Sequence, residues 1–214
     1  RKKIEHGLQH IHVYLVPIGE YQLLPYKKII ESVGNVLNYS ALLNPIHALN
    51  IVYPTVGESV GHSGIEYLIG SRGLDNTMDY SSSGGIKNNY RYKKEILDAH
   101  GRIFSQDKIG RYSQKIKTIC EKIREGDGIV LIYSQYIGGG LIPIALALEE
   151  MGMTRYDRNS NTSLFSKKMR KNNASSYIMI TGDTSYSRNN ELDIKALTAE
   201  KNKNGNVIKV VLIS

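Results

Sequence analysis

The sequence has no tryptophan, two phenylalanines and a single cysteine. One cysteine excludes an internal disulfide and a cysteine-rich zinc site. Cys120 falls on an apolar helical stripe and reads as core filler in a reducing compartment. Also missing are a Gly-x-x-x-x-Gly-Lys-Ser/Thr loop and an Asp-Glu-x-His box, so nothing in these 214 residues is built to cradle a triphosphate or hold its magnesium. Acidic residues are the scarcer charge, 20 against 28 Lys and Arg. The resulting net +8 suits a polyanionic partner about as well as a plain soluble basic surface.

A long uncharged stretch exists, residues 128–148, but Ser134, Gln135, three consecutive glycines and Pro143 would make a poor spanning helix, and no membrane partner is expected. No signal peptide is visible. The chain opens at Arg1 and stops one residue after an apolar run, which reads as part of something longer. What is present is globular in composition, 41% hydrophobic and 22% charged. The length suits one ordinary domain plus an accessory segment. Fifteen tyrosines alongside abundant Ile, Lys and Asn look like the bias of an AT-rich genome.

Along the chain, Ile11, Val13 and Leu15 alternate with His12, Tyr14 and Val16, the two-residue period of a half-buried strand. Tyr26, Ile29, Ile30 and Val33 then keep helical spacing up to Gly34. A second apolar stretch, residues 41–52, is interrupted by Pro45 and ends at Pro54. From 54 to 89, repeated glycines and Ser81-Ser-Ser-Gly-Gly85 read as a long irregular surface excursion. The clearest helix is expected over residues 106–125. Ile109, Tyr112, Ile116, Ile119, Cys120 and Ile123 form its stripe, Ser105 its N-cap, and Gly126 follows its end. Gly128-Ile-Val-Leu-Ile-Tyr133 suits a strand buried on both faces. A glycine-rich turn then leads to a helix over 141–151 with Pro143 in its first turn and Gly152 beyond it. Residues 177–181 and 207–213 read as strands and 191–199 as a helix. The order αβαβαβ implies an α/β fold, a parallel sheet flanked by helices over 105–214, preceded by a mostly helical and irregular segment over 1–104.

In parallel α/β sheets, ligands meet the carboxyl ends of the strands, where loops and helix N-termini present N–H groups. Ser134-Gln-Tyr-Ile-Gly-Gly-Gly140, Thr181-Gly-Asp-Thr-Ser-Tyr-Ser-Arg188 and Ser214 fall at such ends. The first sets hydroxyl and amide groups beside glycines that let a phosphate backbone approach closely. The same glycines fit a simple tight strand-to-helix turn equally well.

Gly128-Ile-Val-Leu-Ile-Tyr-Ser-Gln-Tyr-Ile, with the helix ending Ala145-Leu-Ala-Leu-Glu-Glu-Met-Gly152, resembles the motif IV region of superfamily II helicases. The likeness is to the branch found in nucleocytoplasmic large DNA viruses, related to the small subunit of the poxvirus early transcription factor, and more distantly to Swi/Snf-type proteins. Tyr177-Ile-Met-Ile-Thr-Gly-Asp183 resembles the next strand, and Asn204-Gly-Asn-Val-Ile-Lys-Val-Val-Leu-Ile-Ser214 the strand entering motif V. Val13-Tyr-Leu-Val-Pro-Ile-Gly-Glu-Tyr-Gln22 looks like the segment linking two motor lobes. The resemblance implies a RecA-like second motor lobe, truncated before the rest of motif V and motif VI, from an ATP-dependent helicase or translocase of viral transcription. It implies contacts from Ser134, Gln135, Tyr136, Gly139, Thr181, Gly182 and Ser214 to the backbone of a nucleic acid, DNA or RNA. ATP and magnesium would be bound mainly by a lobe this chain lacks, so the segment alone is expected to be inactive. The viral transcription machinery is an implied partner, the virion and the host-cytoplasmic viral factory the implied locations. A different class also fits: a non-enzymatic nucleic-acid-binding or virion scaffold protein on a degenerate helicase lobe.

Residues 153–176 hold Arg155, Arg158, Lys167, Lys168, Arg170 and Lys171 against the single acid Asp157, a net +5 of the chain's +8. Such a run is more often solvated surface than binding site. Leu164, Phe165 and Met169 interrupt it, however, and would anchor a short element presenting Lys167, Lys168, Arg170 and Lys171 as a basic patch. Gly57-Glu-Ser-Val-Gly61 has the spacing of a nucleophile elbow but follows Pro54 in a loop rather than a buried strand. His6, His10 and His12 lack partners at ligand spacing and read as surface histidines, with no metal site expected. Glu149-Glu150 reads as a solvated helix end.

Overall fold

The computed structural model describes residues 12–33, 39–57, 62–83, 85–156, 163–166 and 175–214. Its centre is a four-stranded, all-parallel sheet in the order β3-β6-β5-β4, built from β3 (Val130–Tyr133), β4 (Thr154–Arg155), β5 (Ser176–Ile180) and β6 (Ile208–Ile213). Helix α7 (Ile142–Glu150) leaves β3 and returns the chain at the far edge, and α8 (Asn190–Leu197) joins β5 to β6. The chain therefore crosses the sheet one way through α7 and the other way through α8. Right-handed crossovers then put the two helices on opposite faces. Alternation along the strands agrees: Tyr177, Met179, Val210 and Leu212 share a core with α7, while Ile178 and Val211 pack with Ala196 of α8, joined by Ile208 from before the register shift that opens the β5–β6 pairing. The expected α/β architecture of a parallel sheet flanked by helices is what the chain forms.

The expected helix over 106–125 is two helices, α5 (Ile109–Tyr112) and α6 (Gln114–Glu125), and its cap is Ser113 rather than Ser105. The cause is tertiary. Ser113 is extended, its Oγ accepts from the Ile116 amide at 3.0 Å and donates to the Asn50 carbonyl at 2.6 Å, and the Tyr112 carbonyl accepts from the Val52 amide. The upstream chain thus takes over bonds that a continuous helix would have kept. Ile109, Tyr112, Ile116, Cys120 and Ile123 remain buried. Burial pushes the Cys120 thiol up to about 11, so folding stability is expected to fall as pH rises from the thiol's ordinary range through that value, where only the unfolded chain readily loses the proton. Thiol labelling at mildly alkaline pH should be slow in the folded protein and fast in denaturant. Equal rates would contradict the buried placement.

Upstream, the sequence misleads more. Residues 12–19 form no strand; Val13 and Leu15 are 82% and 94% exposed, with no sheet beneath them to reward the alternation. Helix α1 (Glu20–Val33) follows as expected; of its stripe Ile29 is buried, Tyr26 half-buried and Ile30 exposed. Helix α2 (Tyr39–Asn50) runs through Pro45 instead of breaking there, forfeiting one ladder bond. The supposed surface excursion is an ordered layer: a 3-10 helix (His62–Leu68), α3 (Gly70–Thr77) and a hairpin of β1 (Met78–Ser83) and β2 (Ile86–Tyr92), followed by α4 (Lys94–His100). Its glycines mark close packing as much as turns. A Cβ on Gly73 would stand 2.4 Å from the Tyr53 ring, so glycine there lets α3 lie directly on the core. One hydrophobic cluster runs from Ile51, Tyr53, Tyr90, Tyr92 and Phe104 through α6 and α7 to the sheet.

Nor is Glu149-Glu150 solvated. All nine residues of α7 are buried, as an apolar-all-round sequence requires, and its two terminal glutamates are 3% and 2% exposed. Glu149 accepts from the Leu164 amide (2.7 Å), the Phe165 amide (2.8 Å) and the Tyr177 hydroxyl (2.7 Å). Glu150 accepts from Tyr92 Oη and Arg102 Nε, both at 2.9 Å, and pairs with Arg102 Nη2 at 2.8 Å. Leu164 and Phe165 are fully buried, and the Tyr90 amide donates to the Leu164 carbonyl at 2.7 Å. These two residues of the polar insert therefore anchor it against β2.

Candidate nucleic-acid interface

The strand ends line up. Ser134 follows β3, Thr181 follows β5 and Ser214 follows β6, and the ladder continues one residue beyond β3 and β6: the Ser134 amide donates to the Ile213 carbonyl at 3.0 Å, the Ser214 amide to the Ile180 carbonyl at 3.2 Å. The carboxyl edge of the sheet thus carries Ser134, Ser214 and Thr181 in a flush row. Ser134 and Thr181 perform the same local task. Each hydroxyl accepts from the amide two residues on (Tyr136 and Asp183, both 3.2 Å) and donates to that residue's carbonyl (both 3.1 Å). These are side-chain-closed turns, so the hydroxyls set the loop shape. Gln135, Gly182 and Ser214 are the exposed members of the row, whereas Gly139 and Thr181 are buried.

Gly138–Gly140 lie in a single wide turn, a π-helix over Ile137–Leu141, leading into α7. Helix α2, which sequence reasoning did not connect with the site, holds this turn. Asn50 Nδ2 donates to the Gly139 carbonyl at 3.3 Å, and the His47 ring lies 4.5 Å from the Tyr136 ring. A Cβ on Gly139 would come within 2.7 Å of His47 Nδ1, and one on Gly140 within 2.3 Å of Ser134 Oγ. The glycines are therefore required by packing as a tight turn, whatever else passes over them. Burial lowers the His47 pKa, favouring the neutral ring against Tyr136.

Beside this turn a cavity of about 270 Å³ opens between the loops after β3 and β5, roofed by α3 and the hairpin. Lys87 Nζ sits 5.5 Å from the Tyr80 ring centroid and 5.4 Å from that of Tyr186. Asp183 Oδ1 accepts from the Ser185 amide (2.8 Å) and hydroxyl (2.6 Å). The Ser185 hydroxyl, then its amide, with Lys87 adding attraction, hold the Asp183 carboxyl below the usual range. Ser71 and Asp75 on α3 and Tyr80 and Lys87 on the hairpin carry no signal of this cavity in the sequence, where residues 54–89 read as an irregular excursion. A larger cavity, about 670 Å³, lies between residues 14–18, α6 and the inner face of β3. It is mostly apolar, and among the described residues Lys115 and Lys122 are its charged lining.

Lys167, Lys168, Arg170 and Lys171 lie outside the described residues, as do His6, His10 and most of Gly57-Glu-Ser-Val-Gly61. Among the described residues, no group of three or more His, Cys, Asp or Glu side chains could hold a metal ion, and no helix is long and apolar enough to cross a membrane. No family model and no curated protein matches the chain.

Proposed function

We propose that this chain is the nucleic-acid-contacting second motor lobe, RecA-like and with its lead-in, of a superfamily II helicase-like ATPase acting in viral transcription. The observation that carries the reading is the flush row of Ser134, Ser214 and Thr181 at the carboxyl edge, with exposed Gln135 and Gly182 beside it. Small polar strand ends of this kind suit contact with phosphates without reading bases, as a motor that ignores sequence needs. The order of motif-like segments along the chain and the net +8 support the same reading. ATP and magnesium would be held mainly by a lobe carrying the P-loop that this sequence lacks. Virion and viral factory would be its places of work.

Residues 1–214 are expected to bind a fluorescein-labelled single strand in an anisotropy titration, with log affinity falling against log salt by roughly 0.7 to 0.9 per phosphate contacted. They should show no nucleic-acid-stimulated ATPase. Gln135→Glu, which puts a carboxylate on the exposed row, should weaken binding about tenfold, a loss of roughly 1.4 kcal/mol. Binding unaffected by that charge would remove the strand ends from the interface, and ATP turnover by the clean segment would overturn the two-lobe reading. Absence of binding to any nucleic acid would overturn the proposal as a whole.

A further inference from the structure

The cavity between the β3 and β5 loops has a chemistry of its own, unlike that of the row beside it. It lies where the chain's crossovers turn to opposite faces of the sheet, the place where open α/β sheets hold ligands. At about 270 Å³ it falls just below the range of ordinary ligand clefts, roughly 300–1,000 Å³, and so has room for one small unit of a polymer. Its polar groups point to the kind of unit. Asp75 and Asp183 both line it, together with the Ser71 hydroxyl. Among the described residues, the Asp75 carboxylate, the Ser71 hydroxyl and Asp183 Oδ2 have no hydrogen-bond partner within the protein. Asp75 and Ser71 are exposed and so open to a ligand at the cavity mouth.

Two carboxylates repel a phosphate, so a phosphate is not what the cavity takes. An ionised carboxylate only accepts hydrogen bonds, so its ligand must donate them. On a nucleic-acid strand the neutral donors are sugar hydroxyls and base N–H groups. Lys87, centred between Tyr80 and Tyr186, supplies a cationic donor for an acceptor on the same ligand. The Lys87 amide donates to the Ser185 carbonyl at 3.0 Å, so the hairpin and the Asp183 loop are tied together and the groups share a fixed frame. Gly138 closes the side nearest the row; a Cβ there would meet Ser71 Oγ at 2.2 Å and narrow the entrance.

We infer that this cavity takes one ribonucleoside unit, with Asp183 and Asp75 accepting from its 2′-hydroxyl and base N–H groups while the adjoining phosphates lie along the Ser134–Gly182 row. The 2′-hydroxyl is the group by which a protein separates RNA from DNA. The inference rests on the proposed nucleic-acid interface and adds to it a preference for RNA. The same ribonucleoside chemistry is offered by a strand and by a free nucleotide, and the test separates them.

Matched labelled RNA and DNA single strands would be titrated against the whole chain, against Asp183→Asn and Asp75→Asn, and in competition with AMP and dAMP. Asparagine at 183 keeps a side-chain oxygen for the Ser185 turn, and an unchanged thermal melt verifies the fold of each variant. The parent should bind RNA roughly tenfold tighter than DNA, the value of about one charge-assisted hydrogen bond. Each variant should bring that ratio towards one while leaving DNA affinity equal or slightly higher, since a negative charge has been removed. AMP binding in preference to dAMP, lost in Asp183→Asn and without any RNA preference, would place a free nucleotide in the cavity. Equal affinities for RNA and DNA together with no AMP binding would overturn the inference while leaving the interface standing. Failure to bind any strand would overturn the interface instead.

Discussion

Glu149→Ala should cost about 3–5 kcal/mol of unfolding free energy, because it leaves two buried amides and a buried phenol without an acceptor at roughly 1–3 kcal/mol each, not all fully additive. For a chain of this size that is on the order of 10 °C in melting temperature, at roughly 2–4 °C per kcal/mol. The size of the effect follows from where the carboxylate reaches. Its oxygens join α7 to the Leu164–Phe165 anchor and to Tyr177 on β5, and Tyr177 and Phe165 are both fully buried. Glu149→Gln should fall between parent and alanine, since the amide keeps one acceptor but turns an NH₂ towards a backbone donor. Thermal melts followed by circular dichroism measure the series. A melt unchanged in Glu149→Ala would show that this clamp contributes nothing.

Arg102→Met should be nearly as damaging, about 3–5 kcal/mol, because Glu150 would remain buried with its charge uncompensated. The guanidinium makes two of the three contacts to that carboxylate, and Glu150 is 2% exposed. Replacing both members by apolar residues is often close to neutral where replacing one is not. The double variant Arg102→Met/Glu150→Met should therefore be more stable than Arg102→Met alone, even though Tyr92 Oη loses its acceptor. A double-mutant cycle read by urea denaturation decides it, and simple additivity of the two single losses would contradict the pairing. The same geometry bears on fragments. A chain begun at residue 105 would lack both Arg102 and Tyr92 and would strip Glu150 of the donors that make its burial tolerable.

Legibility in the sequence followed the length of the range over which each signal acts. The strands at 130–133, 176–180 and 208–213 and the helices at 142–150 and 190–197 stand out from local patterning, the strands as short apolar runs. Strand 130–133, however, expected to be buried on both faces, lies at the side of the sheet with one face exposed, which the run alone does not reveal. The break at Ser113 does not stand out, because its cause lies at Asn50 and Val52, more than sixty residues away. Residues 12–16 show the opposite failure, a correct alternation with no partner sheet to use it. The hairpin is hidden by Ser81-Ser-Ser-Gly-Gly85, whose turn-like composition masks three serines that pair within β1, while Tyr80, Tyr90 and Tyr92 carry a strand signal that the glycines outweigh. At the site, the strand-end residues could be placed from motif order alone. His47, Asn50, Asp75 and Lys87 could not, because nothing but the folded chain brings them to the same edge. The glutamate pair was misread for a related reason: two adjacent acids at a helix end look solvated unless the partners at 92, 102, 164, 165 and 177 are already known to surround them.

Among the described residues strand β3 is an edge of the sheet, and its outward side chains Leu131 and Tyr133 are 63% and 70% exposed. The opposite edge, β4, is two residues long and offers little to pair with, but β3 offers four apolar residues. No charge, proline or bulge interrupts it, the devices by which proteins usually keep such an edge from recruiting another chain. During folding that edge forms from residues that β6, nearly eighty positions later, must find before a neighbouring molecule does. The intramolecular search runs at a rate fixed by the chain, whereas the intermolecular one grows with the number of chains in solution. Dilution, not added stability in the finished fold, is therefore what protects this molecule while it assembles.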